Sequence, residues 1–173
     1  MKRAFILILV LTILSGTDVS SQTRRRTPAK RRPPVSKAAE KQTAEIKAGR
    51  ERVAVQIKNL TLFLYLFGGI AKGIESADQA TRTREASSVA MEQNERNKAR
   101  VKESLRNVRE GLDKLETDFR INPALKSYHR YLTGVADLGE MAESQAAANR
   151  FDDAGRSLLR AVNQLADALA AMR

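Results

Sequence analysis

The chain has no cysteine and no tryptophan, a single histidine and four prolines in 173 residues. Without cysteine there is no disulfide framework, thiol nucleophile, thiolate metal site or lipid-bearing cysteine. One histidine, His129 in Ser127-Tyr128-His129-Arg130-Tyr131, leaves no Glu-x-x-His spacing for the carboxylate-bridged metal centre that helical bundles often carry. Glycine-rich phosphate loops, nucleophile elbows and Asp-x-Asp-x-Asp-Gly calcium loops are missing too. His129 is expected at the surface, and Asp137, Glu140 and Glu143, spaced by three, read as a solvated helix face. No catalytic, cofactor-binding or metal-binding residue is therefore assigned, and no small-molecule substrate is evident.

What the chain does carry begins at its start. Met1-Lys2-Arg3, the apolar run Ala4 to Leu14 and the small residues ending Val19-Ser20-Ser21 have the three-part order of a secretory signal peptide over residues 1–21. The apolar run is shorter than the roughly 20 residues that cross a bilayer. An exported protein is expected, periplasmic or extracellular, and lack of cysteine in an exported chain fits a bacterial envelope. The 152 residues that follow suffice for one core held by apolar packing alone.

Charge is unevenly distributed. Residues 22–37 hold seven Lys or Arg and no acid, whereas residues 38–173 hold 22 basic and 19 acidic residues, a balance of +3. Pro28, Pro33 and Pro34 lie in the same basic stretch, which reads as an unfolded arm of polyproline character. Arg24, Arg25, Arg26, Lys30, Arg31 and Arg32 are its candidate contacts to a polyanion such as an anionic envelope surface; a solvated spacer is the other reading. Nucleic acid is not the expected partner, because an export signal precedes the arm.

Beyond the arm the pattern is helical. Ile46, Val53, Ile57, Leu60, Leu64, Phe67, Ala71 and Ile74 recur at steps of three, four and seven, which puts them on one stripe. Val101, Leu105, Val108, Leu112, Leu115 and Phe119 form a second stripe, Leu125, Tyr128, Leu132, Val135 and Leu138 a third, and Leu158, Val162, Leu165, Leu169 and Met172 a fourth. Ser76 and Gln79 have capping-box spacing, and Asn122-Pro123 has the residues of a helix end followed by a helix start. Helices are expected over about 38–75, 78–119, 123–147 and 151–172. The fold expected is all-α: a long antiparallel hairpin with a shorter hairpin packed on it, four-helix bundle-like and coiled-coil-like in its seams.

The stretch Leu138 to Ala161 resembles a single tetratricopeptide repeat, with Ala154 and Ala161 at the family's alanine positions and Leu158 at an aromatic one. Leu138, Met141, Ala142 and Gln145 depart from the pattern and no second copy follows, so an ordinary helical hairpin is the reading adopted.

The second hairpin is shorter than the first, so one end of the long hairpin, with Leu60 to Ile74 opposite Ala86, Val89, Ala90 and Met91, is expected to lack a partner. Thirteen residues between Lys58 and Lys72 carry no charge, and Leu62, Phe63, Leu66, Phe67 and Ile70 are the candidate contact residues there. Three readings stay open: the chain breaks at Gly68-Gly69 and folds back, the tip dimerises, or it dips into a membrane surface. The polar run Glu92 to Lys98 argues against a continuous dry seam along the hairpin. The function expected is a non-enzymatic interaction or adaptor role in the envelope, through a protein partner or self-association. The alternative is peripheral binding to an anionic membrane or cell-wall surface through the arm and residues 60–70.

Overall fold

A computed structural model describes residues 36–172. The signal-peptide reading of residues 1–21 and the arm contacts Arg24, Arg25, Arg26, Lys30, Arg31 and Arg32 lie outside the described residues. The described chain is all-α, with five helices: α1 Lys37–Arg82, α2 Ser88–Ile121, α3 Lys126–His129, α4 Val135–Ala147 and α5 Phe151–Ala171.

Helix α1 starts where Ser36, in extended conformation, accepts from the Ala39 amide through its side-chain oxygen. It then runs unbroken for 46 residues, roughly 70 Å. It passes through Gly68-Gly69 without a break, so the fold-back reading is overturned. It passes through Ser76 as well, so the capping box there does not start a helix. The reason lies in the seam, which continues from Phe67, Ala71 and Ile74 by a step of four to Asp78. An aspartate hides the periodicity, yet its side chain meets Asn94 and Lys98 of α2.

The stop comes at Thr83. Arg84 takes the left-handed conformation at φ 61°, the Glu85 amide donates back to the Ala80 carbonyl and the Arg84 amide to that of Thr81. This is a Schellman closure made without glycine. Ser87 then caps α2 through a bond from the Ala90 amide.

Moving the turn from about residue 77 to about residue 85 shifts the pairing of the two long helices. Arg52 bonds Asp118, Gln56 lies against Gly111 and Asp78 meets Asn94. The polar run Glu92–Lys98 therefore faces the end of α1, while Leu60 and Phe67 share the core with Val101, Leu105 and Leu112. Apolar meets apolar and polar meets polar, which the expected register did not allow.

Asn122-Pro123 does end α2: the Asn122 carboxamide accepts from the Ala124 amide and donates to Glu45 of α1. A single helix over 123–147 does not follow. One turn, α3, is separated from α4 by Gly134 at φ 90°, a conformation that suits glycine. Glu116 of α2 accepts from the amides of Gly134 and Ala136, so its carboxylate supplies the bonds the opening turn of α4 lacks. Asn149, also left-handed at φ 57°, closes α4 ahead of α5.

The four longer helices pack in a ring, α1 on α2, α2 on α4, α4 on α5 and α5 on α1, with α3 against α2. Gly139 permits a close approach of α4 to α2: a methyl group there would lie 3.1 Å from the Arg109 Cα and from Leu112. Fully buried Val53, Leu112, Phe119, Leu125, Leu132, Leu158 and Leu165 fill the centre. The short hairpin reaches farther than its length suggested. Phe151, at the start of α5, meets the Phe67 ring edge to face at 6.4 Å, and Leu60, Phe67, Ala71 and Ile74 are all buried. The seam of the long hairpin is thus covered up to Ile74, against the expectation that Leu60 to Ile74 lack a partner.

Candidate functional site

The covered seam occupies one side of α1; the other side is apolar as well. At 100° per residue, Leu62 falls opposite Leu60, and Leu66 and Ile70 step round from it toward the Phe67 edge of the seam; the three are 62%, 55% and 44% exposed. Val55 continues the same row one end along and is also exposed. The five expected contact residues therefore divide. Leu62, Leu66 and Ile70 form an open face. Phe63 is partly buried and stacks at 5.4 Å on Phe67. Phe67, 4% exposed, is a core residue held between Phe63 and Phe151 and is withdrawn as a contact residue.

Beside this face a groove of about 560 Å³ runs between α1 and α2. Leu66, Ile70, Gly73 and Ala77 form its α1 wall, Gln93, Asn97, Arg100 and Ser104 its α2 wall, and Phe67, Ile74 and Val101 lie at its base. Arg100 is the one charged residue lining it.

The electrostatic setting is one-sided. From Arg52 to Ile74 the sequence of α1 has no acidic residue. Lys58, Tyr65 and Lys72 follow at steps of seven along one flank of the apolar face, while Arg100 stands on the other. All are exposed, Tyr65 at 81%. Among the described residues no carboxylate pairs with Lys58, Lys72 or Arg100. An apolar strip with unpaired cations on both margins is the result. The same helix is long and apolar enough to cross a membrane by length and composition, with an 18-residue window of mean hydropathy 1.5, of which 17% is buried.

Past the strip, a part-buried polar cluster joins the ends of the two long helices. The Lys98 ammonium lies 2.7 Å from Asp78 and 2.8 Å from Glu95. Asn94, 4% exposed, donates to Asp78 at 2.7 Å, while its own carbonyl oxygen has no hydrogen-bond partner. Burial alone would lower the Lys98 pKa, but bonds to Asp78 and Glu95 and their negative charges outweigh it, so the ammonium is held above its ordinary value. A wider cleft of about 990 Å³ lies between the end of α1 and the α4–α5 turn. Its charges are of both signs, and Asp153 there lies between Arg150 and Arg156.

Two sequence readings need revision. His129 is partly buried, its Nε2 3.9 Å from the Glu116 carboxylate that caps α4. Glu143 does not simply face water: it bridges α4 to Arg106 and Arg109 of α2 at 3.2 and 2.7 Å. Asp137 and Glu140 are exposed. Among the described residues no group of three His, Asp or Glu side chains is placed to hold a metal ion.

The capping role of Glu116 and the pairing of Asp78 with Lys98 were not read from the sequence. A step-of-four continuation of the α1 seam onto Asp78 was the available signal. No protein-family model, curated protein or solved structure matches this chain.

Proposed function

We propose that the protein is an exported, non-enzymatic helical protein of the cell envelope that works by docking the outer face of α1 on a partner. One observation carries the reading: Leu62, Leu66 and Ile70 form a continuous apolar strip that the bundle's own helices leave in water. Large apolar side chains in a row on one helix are costly to leave exposed, and such patches mark interaction surfaces. The signal-like residues 1–21 support export, and the basic stretch that follows supports retention at an anionic envelope.

A photoreactive residue placed at Leu66 in the producing cells tests this, with Glu110 on exposed α2 as the control position. Light-dependent adducts are expected from the Leu66 position and not from Glu110, in the exported fraction. Equal adduct yields at both positions would remove the docking role, and accumulation of the unprocessed chain in the cytosol would remove the export reading.

A further inference from the structure

We infer that the occupant of the α1 face is an anionic lipid surface, on which the helix lies flat instead of crossing. The inference rests on the docking reading above and names its partner.

The margins of the apolar strip are basic. Lys58 and Lys72 border it on one side and Arg100 on the other, none with a carboxylate partner among the described residues. Leu62, Leu66 and Ile70 can enter the boundary between headgroups and acyl chains. Lysine and arginine stems then follow the apolar surface and place their charges among lipid phosphates. Tyr65, on the same row as the two lysines and mostly exposed, has the amphipathic side chain that favours this depth.

A second copy of the chain fits less well. A two-fold dimer on this strip would gather Lys58, Lys72 and Arg100 of both copies around one desolvated patch. With no acid from Arg52 to Ile74, α1 has nothing within the strip to neutralise them. Anionic headgroups do so directly.

Crossing the bilayer is disfavoured by the other side of the same helix. Leu60, Phe67, Ala71 and Ile74 belong to the bundle core, and pulling α1 into lipid would strip them from α2 and α5. The uncharged segment between Lys58 and Lys72 also spans only about 20 Å against a hydrocarbon core of about 30 Å. A helix with one side committed to its own bundle can offer a membrane only the other.

The experiment is sedimentation with vesicles of phosphatidylcholine alone and of phosphatidylcholine mixed with phosphatidylglycerol. It uses the chain from Gln22, with light scattering for solution mass. Two surface variants, Leu62→Gln/Leu66→Gln/Ile70→Gln and Lys58→Gln/Lys72→Gln/Arg100→Gln, are checked for unchanged helical circular dichroism. A third variant lacks residues 22–35. The expected result is binding to the mixed vesicles that weakens with salt.

The apolar variant should lose about a hundredfold in affinity. The cation variant should lose about fivefold per charge at low salt. Both losses should persist when residues 22–35 are removed. Binding that ignores the two surface variants and vanishes with residues 22–35 overturns the inference, as does a concentration-dependent dimer that the apolar variant abolishes. If no vesicles are bound while Leu66 still forms adducts with a protein, the lipid assignment falls and the docking reading stands; if the adducts are missing too, both fall.

Discussion

Replacing Gly68, Gly69 and Gly73 together with alanine should stabilise the protein. All three sit inside the unbroken helix α1, all are exposed, and a methyl group added at any of them would meet nothing within 4 Å. Glycine in a helix interior costs about 0.5–1 kcal/mol relative to alanine, because the unfolded chain loses more freedom on folding. With no clash to offset the gain and no direct contact between the added methyls and the core, the triple variant should gain about 1.5–3 kcal/mol.

For a core of this size that corresponds to a rise in melting temperature of about 5–12 °C, measured by circular dichroism or calorimetry. Gly139→Ala is the counterpart. It gains the same propensity, but its methyl would press on the Arg109 backbone and on Leu112 at 3.1 Å. Overpacking of about 1–3 kcal/mol should therefore outweigh the gain and lower the melting temperature. A triple variant that melts at or below the parent temperature would refute the reasoning, since it would mean that the chain needs glycine at 68, 69 or 73 and that α1 does not run straight through them.

Two further outcomes follow from the packing. Phe67→Ala, which empties the space between Phe63 and Phe151, should cost about 3–5 kcal/mol in denaturant unfolding, whereas Leu66→Ala beside it should cost no more than about 1 kcal/mol; equal costs would place Phe67 outside the core. Asp78→Ala leaves the Lys98 ammonium with Glu95 alone and Asn94 without its acceptor and should destabilise strongly, whereas the joint change Asp78→Leu/Asn94→Leu/Lys98→Met, which removes the linked polar groups together, should recover most of the loss. Because the Lys98 pKa is raised from 10.5 in the folded state, its share of stability is complete below that value and is lost as pH climbs through the higher folded pKa. The difference in stability between wild type and Lys98→Met should therefore shift in favour of the variant above about pH 10.5; a difference that does not change with pH would contradict the assignment.

Helical class and the four apolar stripes could be read directly from the spacing of Leu, Val, Ile and Phe, because burial on one side of a helix requires that period whatever the partner. Leu105, Leu112, Phe119, Leu158 and Leu165 all sit in the core as their stripes imply. A local signal also placed the end of α2 at Asn122-Pro123, since backbone conformation there depends on side chains within a few residues. The turn between α1 and α2 depended on something more distant. By local chemistry Ser76, with Gln79 three residues on, is the better cap, since Ser87 has Ala90 at that position; the choice of Ser87 is made by Asp78 meeting Asn94 and Lys98 across the hairpin. Residues that far apart pair only after the chain has folded.

Docking surface and core were confused for the same reason. Phe67 and Leu66 are neighbours in one uncharged run with similar hydrophobicity, and only the arrival of α5, with Phe151 and Gly155 against the Phe67 ring, determines which is buried. Composition set how much apolar surface α1 carries. Tertiary packing decided which side of it was used for the bundle, leaving Leu62, Leu66 and Ile70 exposed between unpaired cations.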